Sequence, residues 1–393
     1  MSLKILYLFT SPSLKGSSVQ TKVLNQIKYL NKAGAECRGA FFSTEVMEIT
    51  PLNEQVDLIP VEKCEWKYFR KIGQRRNVDK RLEEFISSRF SETDVFYIRY
   101  AGASKKLYQI SRQYGSKIVS EHQSKEIDEI RSFENQHPFG VRPSKLLSRY
   151  LYYWKPIYDE RKWGILFAKK IKAIVTVTNE IALYQQTKGS KNVLVCSNGI
   201  GVNDYKLRKI ALFSEPLKIL FLKGTSSISE WNGFERLISS IDRNPSNKIK
   251  LIVCGHLIEG EIPERDYIEH KGYLNKGQLD ALFNEVHIGV STLALYNKDL
   301  QEAAVLKTRE YIARGLPFIY AYTDPDLNEE TNSFALQFPN DDSLIDMQQV
   351  VDFAKKVLSD PEHPQKMRKY AEKYLDYEVK MKRLLEGIKR MAK

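Results

Sequence analysis

The chain has 393 residues, of which 42% are hydrophobic and 28% charged, and this composition is typical of a globular protein large enough for two domains. No apolar run approaches the ~18 residues that a membrane span requires, and the opening MSLKILYLF predicts a first strand rather than a signal peptide. The net charge of +12 is spread along the chain, so it favours anionic partners without choosing among nucleotides, acidic lipids and nucleic acid.

The cysteines give no sign of a metal site or a disulfide framework. All four are far apart and lack metal-ligand spacing. Cys196 and Cys254 lie in apolar runs, where a cysteine usually behaves as a small buried hydrophobe. Because no cluster of histidines and carboxylates has ligand spacing either, we expect a reducing, cytoplasmic setting and no bound metal.

The first segment predicts the opening of a doubly wound domain. It comprises a strand at residues 4–9, a small-residue loop at 11–18 and an amphipathic helix at 20–31. The loop lacks a Gly-x-Gly-x-x-Gly pattern, so it does not indicate a dinucleotide site. Gly16 either lets a ligand approach the backbone closely or is an ordinary turn glycine.

His122 follows a short predicted strand at residues 118–120, which itself follows a strand at 94–100 and a helix at 105–114. Ligands of open α/β sheets gather at the carboxyl ends of the strands. The histidine is therefore either a ligand-contacting residue or a structural one.

Residues 125–172 are helical in pattern and rich in aromatic and basic side chains. They predict either helices packed on the first domain with solvated basic residues, or a surface that contacts anionic membrane or a charged acceptor. A second basic helical stretch at 67–81 favours surface binding. The aromatic residues concerned are Tyr150, Tyr152, Tyr153, Trp154, Trp163 and Phe167.

The first domain is predicted to close with a strand at 173–178, a helix at 180–187 that Asn179 caps, and a strand at 192–196. The polar stretch 204–215 lacks clear periodicity, which predicts an interdomain linker.

Strands and helices then alternate from residue 217 to residue 291, which predicts a second parallel sheet with helices on both faces. The first strand of this sheet, 217–222, ends at Lys223-Gly224. A later short strand, 268–272, ends at Tyr273.

The second domain is organised around residues 299–322. Glu302 and Glu310 are eight positions apart, a helix is predicted to begin at residue 305 or 306, and Gly315 ends it before a buried strand. The free amides at the start of the helix face the strand tips, with Glu302 just outside and Glu310 one turn in. An anion-binding amide cluster beside carboxylates that bind a diol suits a nucleotide-sugar.

These residues resemble the retaining glycosyltransferases of the GT-B fold, in particular the family-4 group. The pair Glu302 and Glu310 matches the Glu-x7-Glu motif, and the following EYIARGLPFI is similar to the family pattern E-A-x-A-x-G-x-P-V-I. Asn198-Gly199-Ile200 is similar to the family's N-G-[IV]-D. The segments 232–234 and 272–273 support the resemblance, which covers nearly the whole chain and is specific in the second domain.

The resemblance implies a role for each matching position. Glu310 binds the ribose of the donor nucleotide, and Glu302 contacts the transferred sugar near the reacting carbon. His122 lies near the sugar and the acceptor, and Gly16 faces the donor phosphates. The diphosphate is held by the backbone amides of Ala303, Ala304, Val305 and Leu306, and the base lies near the segment Gly272, Tyr273 and Leu274.

The chain departs from the family where a basic pair normally neutralises the diphosphate. The strand at 217–222 is followed by Lys223 and Gly224, and no second basic residue stands at the usual later position. Lys307, in the first turn of the predicted helix, is the candidate substitute, and a solvated helix lysine is the alternative.

The resemblance implies an α/β GT-B architecture of two Rossmann-like doubly wound parallel-sheet domains facing across a cleft. We predict an acceptor domain at 1–205, a donor domain at 206–375, and a C-terminal helix at 376–393 that crosses back to the first domain. The implied protein is a cytoplasmic, metal-independent retaining hexosyltransferase without a cofactor. It moves a sugar from a nucleotide-sugar to a glycan or lipid-linked acceptor in cell-surface polysaccharide or glycoconjugate synthesis.

Several alternatives stay open. One is peripheral contact with the anionic inner face of a membrane. Another is a sugar-nucleotide epimerase of the same fold, and a third is a non-catalytic sugar-nucleotide-binding protein. Nucleic acid is not expected as a partner, because the basic residues are dispersed and form no known module.

Overall fold

The computed structural model describes residues 2–10, 18–65, 70–136, 143–209, 212–223, 229–245, 248–256 and 260–392. The chain divides into two compact units. The first consists of Met1–Cys196 together with Tyr377–Lys393, and the second is Ser197–Asp376.

The first unit contains an eight-stranded sheet in the order β3-β4-β2-β1-β5-β6-β7-β8. All neighbouring strands are parallel except β3, which is antiparallel to β4. The strand order changes direction between β1 and β5, so a switch point of the doubly wound type lies there. The strands are β1 (Lys4–Phe9), β2 (Glu36–Ser43), β3 (Thr50–Asn53), β4 (Val56–Pro60), β5 (Val95–Arg99), β6 (Ile118–His122), β7 (Ala173–Thr176) and β8 (Val193–Val195).

Helices separate successive strands of the first unit except at β2, β3 and β4, which follow one another between the first and second helices and which the sequence analysis did not predict. Two π-helical turns, Tyr150–Trp154 and Glu160–Gly164, join the fifth, sixth and seventh helices into one helical segment. The helices are α1 (Ser18–Lys32), α2 (Arg70–Arg89), α3 (Lys105–Tyr114), α4 (Glu126–Gln136), α5 (Pro143–Arg149), α6 (Lys155–Asp159), α7 (Ile165–Ala168) and α8 (Asn179–Thr187).

Two local predictions in the first unit need correction. Strand β6 does not end at residue 120, because Glu121 and His122 both pair with β7. Thr178, rather than Asn179, caps α8, since its backbone is extended and its side chain accepts a hydrogen bond from the amide of Ile181 at 3.3 Å.

The second unit contains a six-stranded, all-parallel sheet in the order β11-β10-β9-β12-β13-β14. The order changes direction between β9 and β12, which makes the carboxyl ends of these two strands the expected ligand position. The elements are β9 (Leu217–Leu222), α9 (Phe234–Asp242), β10 (Ile249–Cys254), β11 (Ile268–Gly272), α10 (Lys276–Glu285), β12 (Ile288–Val290), α11 (Leu306–Arg314), β13 (Phe318–Tyr320), β14 (Ala335–Gln337), α12 (Met347–Leu358) and α13 (His363–Tyr370).

The second unit begins at Ser197 rather than at residue 206, because the segment after β8 is bonded to it. Asn198 Nδ2 donates to the carbonyl of Ala304 at 2.6 Å, and the amide of Ile200 donates to the carbonyl of Leu375 at 2.9 Å. The predicted linker is also anchored, since buried Arg208 donates to the carbonyl of Val286 at 2.6 Å. Burial lowers the pKa of Arg208 to about 10.

Helix α14 (Tyr377–Ala392) belongs to the first unit. Its apolar stripe recurs at helical spacing and joins the core formed by β1, β2, β5 and α1. Tyr377 stacks on Tyr29 of α1 with ring centroids 5.5 Å apart. The stripe consists of Tyr377, Met381, Leu384, Leu385 and Ile388.

Apolar side chains are exposed along the first part of the helical segment 143–168. Tyr150, Trp154 and Tyr158 are 49%, 46% and 54% exposed, whereas Tyr153 and Phe167 are buried. Across the described ranges, no helix combines the length and the apolar character that crossing a bilayer requires.

Candidate active site

The predicted helix and strand around the glutamate pair are confirmed. Helix α11 begins at Leu306, and Gly315 ends it in the left-handed conformation at φ 77°. A Cβ at this glycine would lie 2.6 Å from Cα of Pro364, so both the backbone angle and the space favour glycine. The helix follows β12, and its start therefore lies at the switch point of the second sheet.

Glu302 is fixed by backbone pairing beyond the carboxyl end of β13. It forms an isolated parallel bridge with Thr323, in which the amide of Ala303 donates to the carbonyl of Thr323 at 3.0 Å. The predicted set of four diphosphate-binding amides is therefore too large, because the amide of Ala303 already has a partner. The amides that follow it, including those of Val305 and Leu306, begin the helix without a side-chain cap.

Lys307 carries the distinctive amine of this site. Its Nζ is withdrawn from solvent and has no hydrogen-bond partner among the described residues. It lies 5.1 Å from the ring centroid of Phe221, near the carboxyl end of β9. Burial lowers the pKa of this amine from 10.5 to about 7. A buried, unpaired amine at the switch point is suited to binding an anion.

Glu310 lies one turn further along α11 and accepts a hydrogen bond from Nε of Arg314 at 2.8 Å. Arg314 is buried and also pairs with Asp280. Burial raises the pKa of Glu310 although Arg314 opposes this. The carboxylate is half-buried and has a second oxygen that can accept from a ligand hydroxyl.

Three buried hydroxyl groups join α11 to the strands beneath it. Thr308 Oγ1 lies 2.6 Å from Ser291 Oγ and 2.7 Å from the hydroxyl of Tyr322. Ser291 directly follows β12, so this cluster fixes the first turn of α11 against the carboxyl end of that strand.

Arg309, which the sequence analysis did not select, is completely buried. Its guanidinium pairs with both carboxylate oxygens of Asp324, with Asp326, and with the carbonyl of Asn198 at 3.1 Å. Contrary to the expectation that no carboxylates have metal-ligand spacing, Asp324-Pro325-Asp326 has a spacing that can chelate a divalent cation, but here Arg309 binds both carboxylates. Asn198 also bonds to Ala304, so this network holds the segment that leads into α11.

The other predicted donor residues lie at the neighbouring strand ends. Lys223 is bound by Glu261 at 2.5 Å and by the carbonyl of His256, so its amine is already neutralised. Tyr273 is exposed, and Leu274 packs at the edge of the core. Gly224 and Gly16 lie outside the described residues.

His122 is buried in the first unit, where its ring is held on two sides. Its Nδ1 pairs with Glu126 and lies 3.0 Å from Nε2 of Gln185. Its ring stacks on Tyr100 with centroids 4.2 Å apart. Nε2 has no hydrogen-bond partner among the described residues. A carboxylate therefore orients one ring nitrogen, while the other is buried without a partner in the described part of the chain.

A buried ion network supports the His122–Glu126 pair. Lys188 donates to Glu126 at 2.7 Å and to Glu160 at 3.2 Å. Burial alone would raise the pKa of Glu126, but His122 and Lys188 outweigh it and hold that pKa below its ordinary value. Glu126 is therefore an anion at neutral pH.

A second buried network, which the sequence analysis missed, lies beside β1 and β5. Glu121 accepts from the hydroxyl of Tyr7 at 2.7 Å, from Gln26 at 3.0 Å and from Lys22 at 3.1 Å, with Arg99 at 3.6 Å. Burial opposes ionisation, yet the cations Lys22 and Arg99 lower the pKa of Glu121 to about 2. A carboxylate directly before His122 was the available sequence signal.

Within the described ranges, no group of three or more His, Cys, Asp or Glu residues is placed to hold a metal ion. A cavity of about 390 Å³ in the second unit is lined by Gln301, Thr323, Asn340 and neighbouring residues. Neither Lys307 nor Glu310 is among the residues that line this cavity.

No protein-family model matches the chain, and no curated protein matches it in sequence. Solved structures do match it along its whole length. Sucrose-phosphate synthase from Thermosynechococcus elongatus has a TM-score of 0.67 at 11% identity, with 99% of each chain covered. The glycosyltransferase WaaG, involved in lipopolysaccharide biosynthesis, has a TM-score of 0.57 at 15% identity, with 96% of this chain and 97% of that chain covered.

A third match is an alpha-glucosyltransferase in complex with UDP and a 13-mer DNA, with a TM-score of 0.60, 11% identity and 100% of both chains covered. Likeness at these identities establishes the fold. The predicted α/β class with two Rossmann-like parallel-sheet units, as in GT-B glycosyltransferase structures, is therefore confirmed.

Proposed function

We propose that the protein is a nucleotide-sugar-dependent glycosyltransferase whose donor binds at the start of α11. The observation that carries this proposal is the buried amine of Lys307, which has no hydrogen-bond partner in the part of the chain that the structure describes. It lies in the first turn of a helix whose first amides lack a side-chain cap, with Glu302 before them and Glu310 after them. A diphosphate satisfies the amine and the amides, and the carboxylates supply acceptors for ribose and sugar hydroxyls.

The proposed chemistry follows from these positions. As the glycosidic bond to the leaving nucleoside diphosphate breaks, negative charge develops on the phosphate oxygens. Lys307 and the amides of Val305 and Leu306 stabilise this charge, and do so most strongly where water is excluded. Glu302 positions the transferred sugar, and His122 of the first unit acts on the acceptor side.

The finer assignments are also proposals. The resemblance to family-4 enzymes supports transfer with retention of anomeric configuration and without a metal. It also supports a glycan or lipid-linked acceptor in polysaccharide or glycoconjugate synthesis in the cytoplasm. The solved structures that match include an enzyme involved in lipopolysaccharide biosynthesis and an alpha-glucosyltransferase in complex with UDP, which agrees with this class.

Peripheral membrane contact is proposed for the helical segment 143–168. Exposed Tyr150, Trp154 and Tyr158 are followed by exposed Arg161 and Lys162, and such a mixture of amphipathic aromatics and cations suits an anionic interface. Co-sedimentation with vesicles tests this surface. We expect stronger binding to anionic than to neutral lipid, and equal binding would refute the docking role.

A panel of nucleotide-sugars tests the transferase assignment. We expect release of nucleoside diphosphate that requires both an acceptor and Glu302. Turnover of the donor to an isomer without an acceptor would instead identify an epimerase. Tight binding without turnover, with any glycan or lipid acceptor offered, would identify a sugar-nucleotide-binding protein.

A further inference from the structure

We propose that the donor diphosphate binds with uptake of a proton at Lys307, so that donor affinity is set by pH through this one amine. The inference rests on the proposed function and deepens it. It begins from the position of the amine, which is shielded from solvent, unpaired within the described residues, and beside the apolar ring of Phe221.

The site as described offers Lys307 no counter-charge. On the helix that carries Lys307, Glu310 is bonded to Arg314. Arg309 of the same helix is bonded to Asp324. After β9, Lys223 is bonded to Glu261. Other titratable groups of the surrounding elements include Glu302, just before α11, Tyr320 on β13 and Cys254 on β10. Tyr311 on α11 donates to the carbonyl of Val290, Tyr322 after β13 bonds to Thr308, and His363 of α13 bonds to the carbonyl of Asp360.

Burial alone accounts for the state of this amine. Because no nearby charge compensates for lost hydration, its pKa is lowered to about 7. Above that pH the amine of the ligand-free protein is mostly neutral. A diphosphate placed beside it favours the ammonium form and raises the pKa again, so binding takes up a proton whenever the solution pH exceeds about 7.

This device differs from the usual use of a permanently charged residue at a diphosphate. A lysine that is neutral until the anion arrives avoids the cost of a buried, unpaired charge in the empty site. The protein therefore binds the donor best at neutral or lower pH. Donor affinity should weaken by about tenfold for each pH unit above 7, as the loss of one proton requires.

Isothermal titration calorimetry in buffers of different ionisation enthalpy tests the proposal. The probes are UDP-glucose, UDP-N-acetylglucosamine, GDP-mannose and dTDP-glucose, of which the tightest binder is used. A nucleotide-sugar is preferable to a free nucleoside diphosphate, whose terminal phosphate itself titrates near pH ~6. One pH unit above the pKa of Lys307, we expect uptake of close to one proton per donor bound.

Lys307→Arg is the matched variant, because arginine stays protonated at every pH used. It should bind donor with no proton uptake and no pH dependence. Lys307→Met should bind donor weakly at every pH and, since it removes a buried unpaired amine, should unfold at a urea concentration no lower than the wild type. That result separates loss of binding from loss of folding.

The outcomes distinguish the inference from the function on which it rests. Donor binding without proton uptake, or with the same uptake in Lys307→Arg, would overturn the inference and leave the transferase proposal standing. If none of the four nucleotide-sugars binds, the donor site itself is wrong and both proposals fall.

Discussion

The guanidinium of Arg309 forms a two-point ion pair with the carboxylate of Asp324, and neither charged group is accessible to solvent. The same guanidinium binds Asp326 and the carbonyl of Asn198, so a single side chain connects α11 to the loop after β13 and to the start of the second unit. This cluster is structural support for the candidate site.

Removing one member of that pair should be costly. Arg309→Met leaves a buried carboxylate without a cation, which typically destabilises a protein by about 3–5 kcal/mol. We expect a large decrease in the urea concentration that unfolds the second unit. Arg265→Met is the control, because its pair with Asp242 is 44% and 35% exposed and solvent-exposed pairs of this kind add little to stability. Equal effects of the two variants would contradict the structural role of Arg309.

Gly315→Ala should destabilise the second unit through a steric clash as well as through backbone strain. Gly260 is the matched control, since its φ of 76° is nearly the same but a Cβ there meets no atom of the described residues within 4 Å. Left-handed backbone costs a non-glycine residue about 1–3 kcal/mol at either position. We expect Gly315→Ala to lose more stability than Gly260→Ala in urea unfolding, and the reverse order would refute the close contact with Pro364.

The two site glutamates should have separable effects. Glu310→Gln should weaken binding of UDP by about tenfold or more, because a hydrogen bond to a charged group is worth about 1.5–3 kcal/mol. Glu302→Gln should preserve UDP binding and lower turnover with the full nucleotide-sugar. Calorimetry with UDP and a steady-state assay measure both. If both variants weaken UDP binding equally, the assignment of ribose to Glu310 is wrong.

His122→Ala should reduce turnover by about 10²–10⁴-fold, the usual contribution of general acid–base catalysis, while leaving UDP affinity unchanged. The carboxylate partner makes a second variant informative. Glu126→Gln keeps the size of the side chain but removes the charge that orients Nδ1, so turnover should fall and its pH profile should shift. His363→Asn, at a buried histidine on α13, is the control. A His122 variant with normal turnover would show that this histidine is structural.

Acid should destabilise the first unit through Glu121. In the folded protein the pKa of Glu121 is about 2, below its ordinary value of 4.5. The ionised carboxylate therefore stabilises the fold fully when the solution pH is above 4.5. That stability is lost as the pH falls from 4.5 towards 2. Glu121→Gln should be less stable at neutral pH, because Lys22 loses its partner, and should show a flatter acid dependence. Hydrogen exchange of β1 and β5 measures this unit directly, and an unchanged acid dependence would refute the role of Glu121.

The sequence predicted the regular parts of the fold because local rules decide them. Apolar runs, helical periodicity and the glycine at 315 were sufficient for α11, β13 and most other elements. The glutamate pair and Lys307 were found for the same reason, since all three lie on one helix or just before it. Helix α11 begins within one residue of the predicted position, so local signals for the start and end of a helix were sufficient to place it.

The parts that the sequence did not predict depend on contacts between distant positions. Arg309 of α11 pairs with Asp324 only after β13 and the turn that follows it have formed. Lys188, directly after α8, pairs with Glu126 at the start of α4. Lys223 was selected from its place after β9, but its neutralisation by Glu261 requires the fold. A sequence does not show which charged residues will be buried or which will be paired. Burial and pairing in the fold decide which amine can bind a ligand.

Because α14 lies at the end of the chain, it is synthesised long after the first sheet on which it packs. The first 196 residues leave the ribosome well before Tyr377–Ala392, so for the time needed to make the entire second unit the first sheet lacks the helix that covers part of its core. The apolar surface around Tyr29 and Leu30 of α1 is uncovered during that interval. A nascent chain arrested at Asp376 should therefore bind hydrophobic-surface dyes and chaperones more strongly than the full chain does.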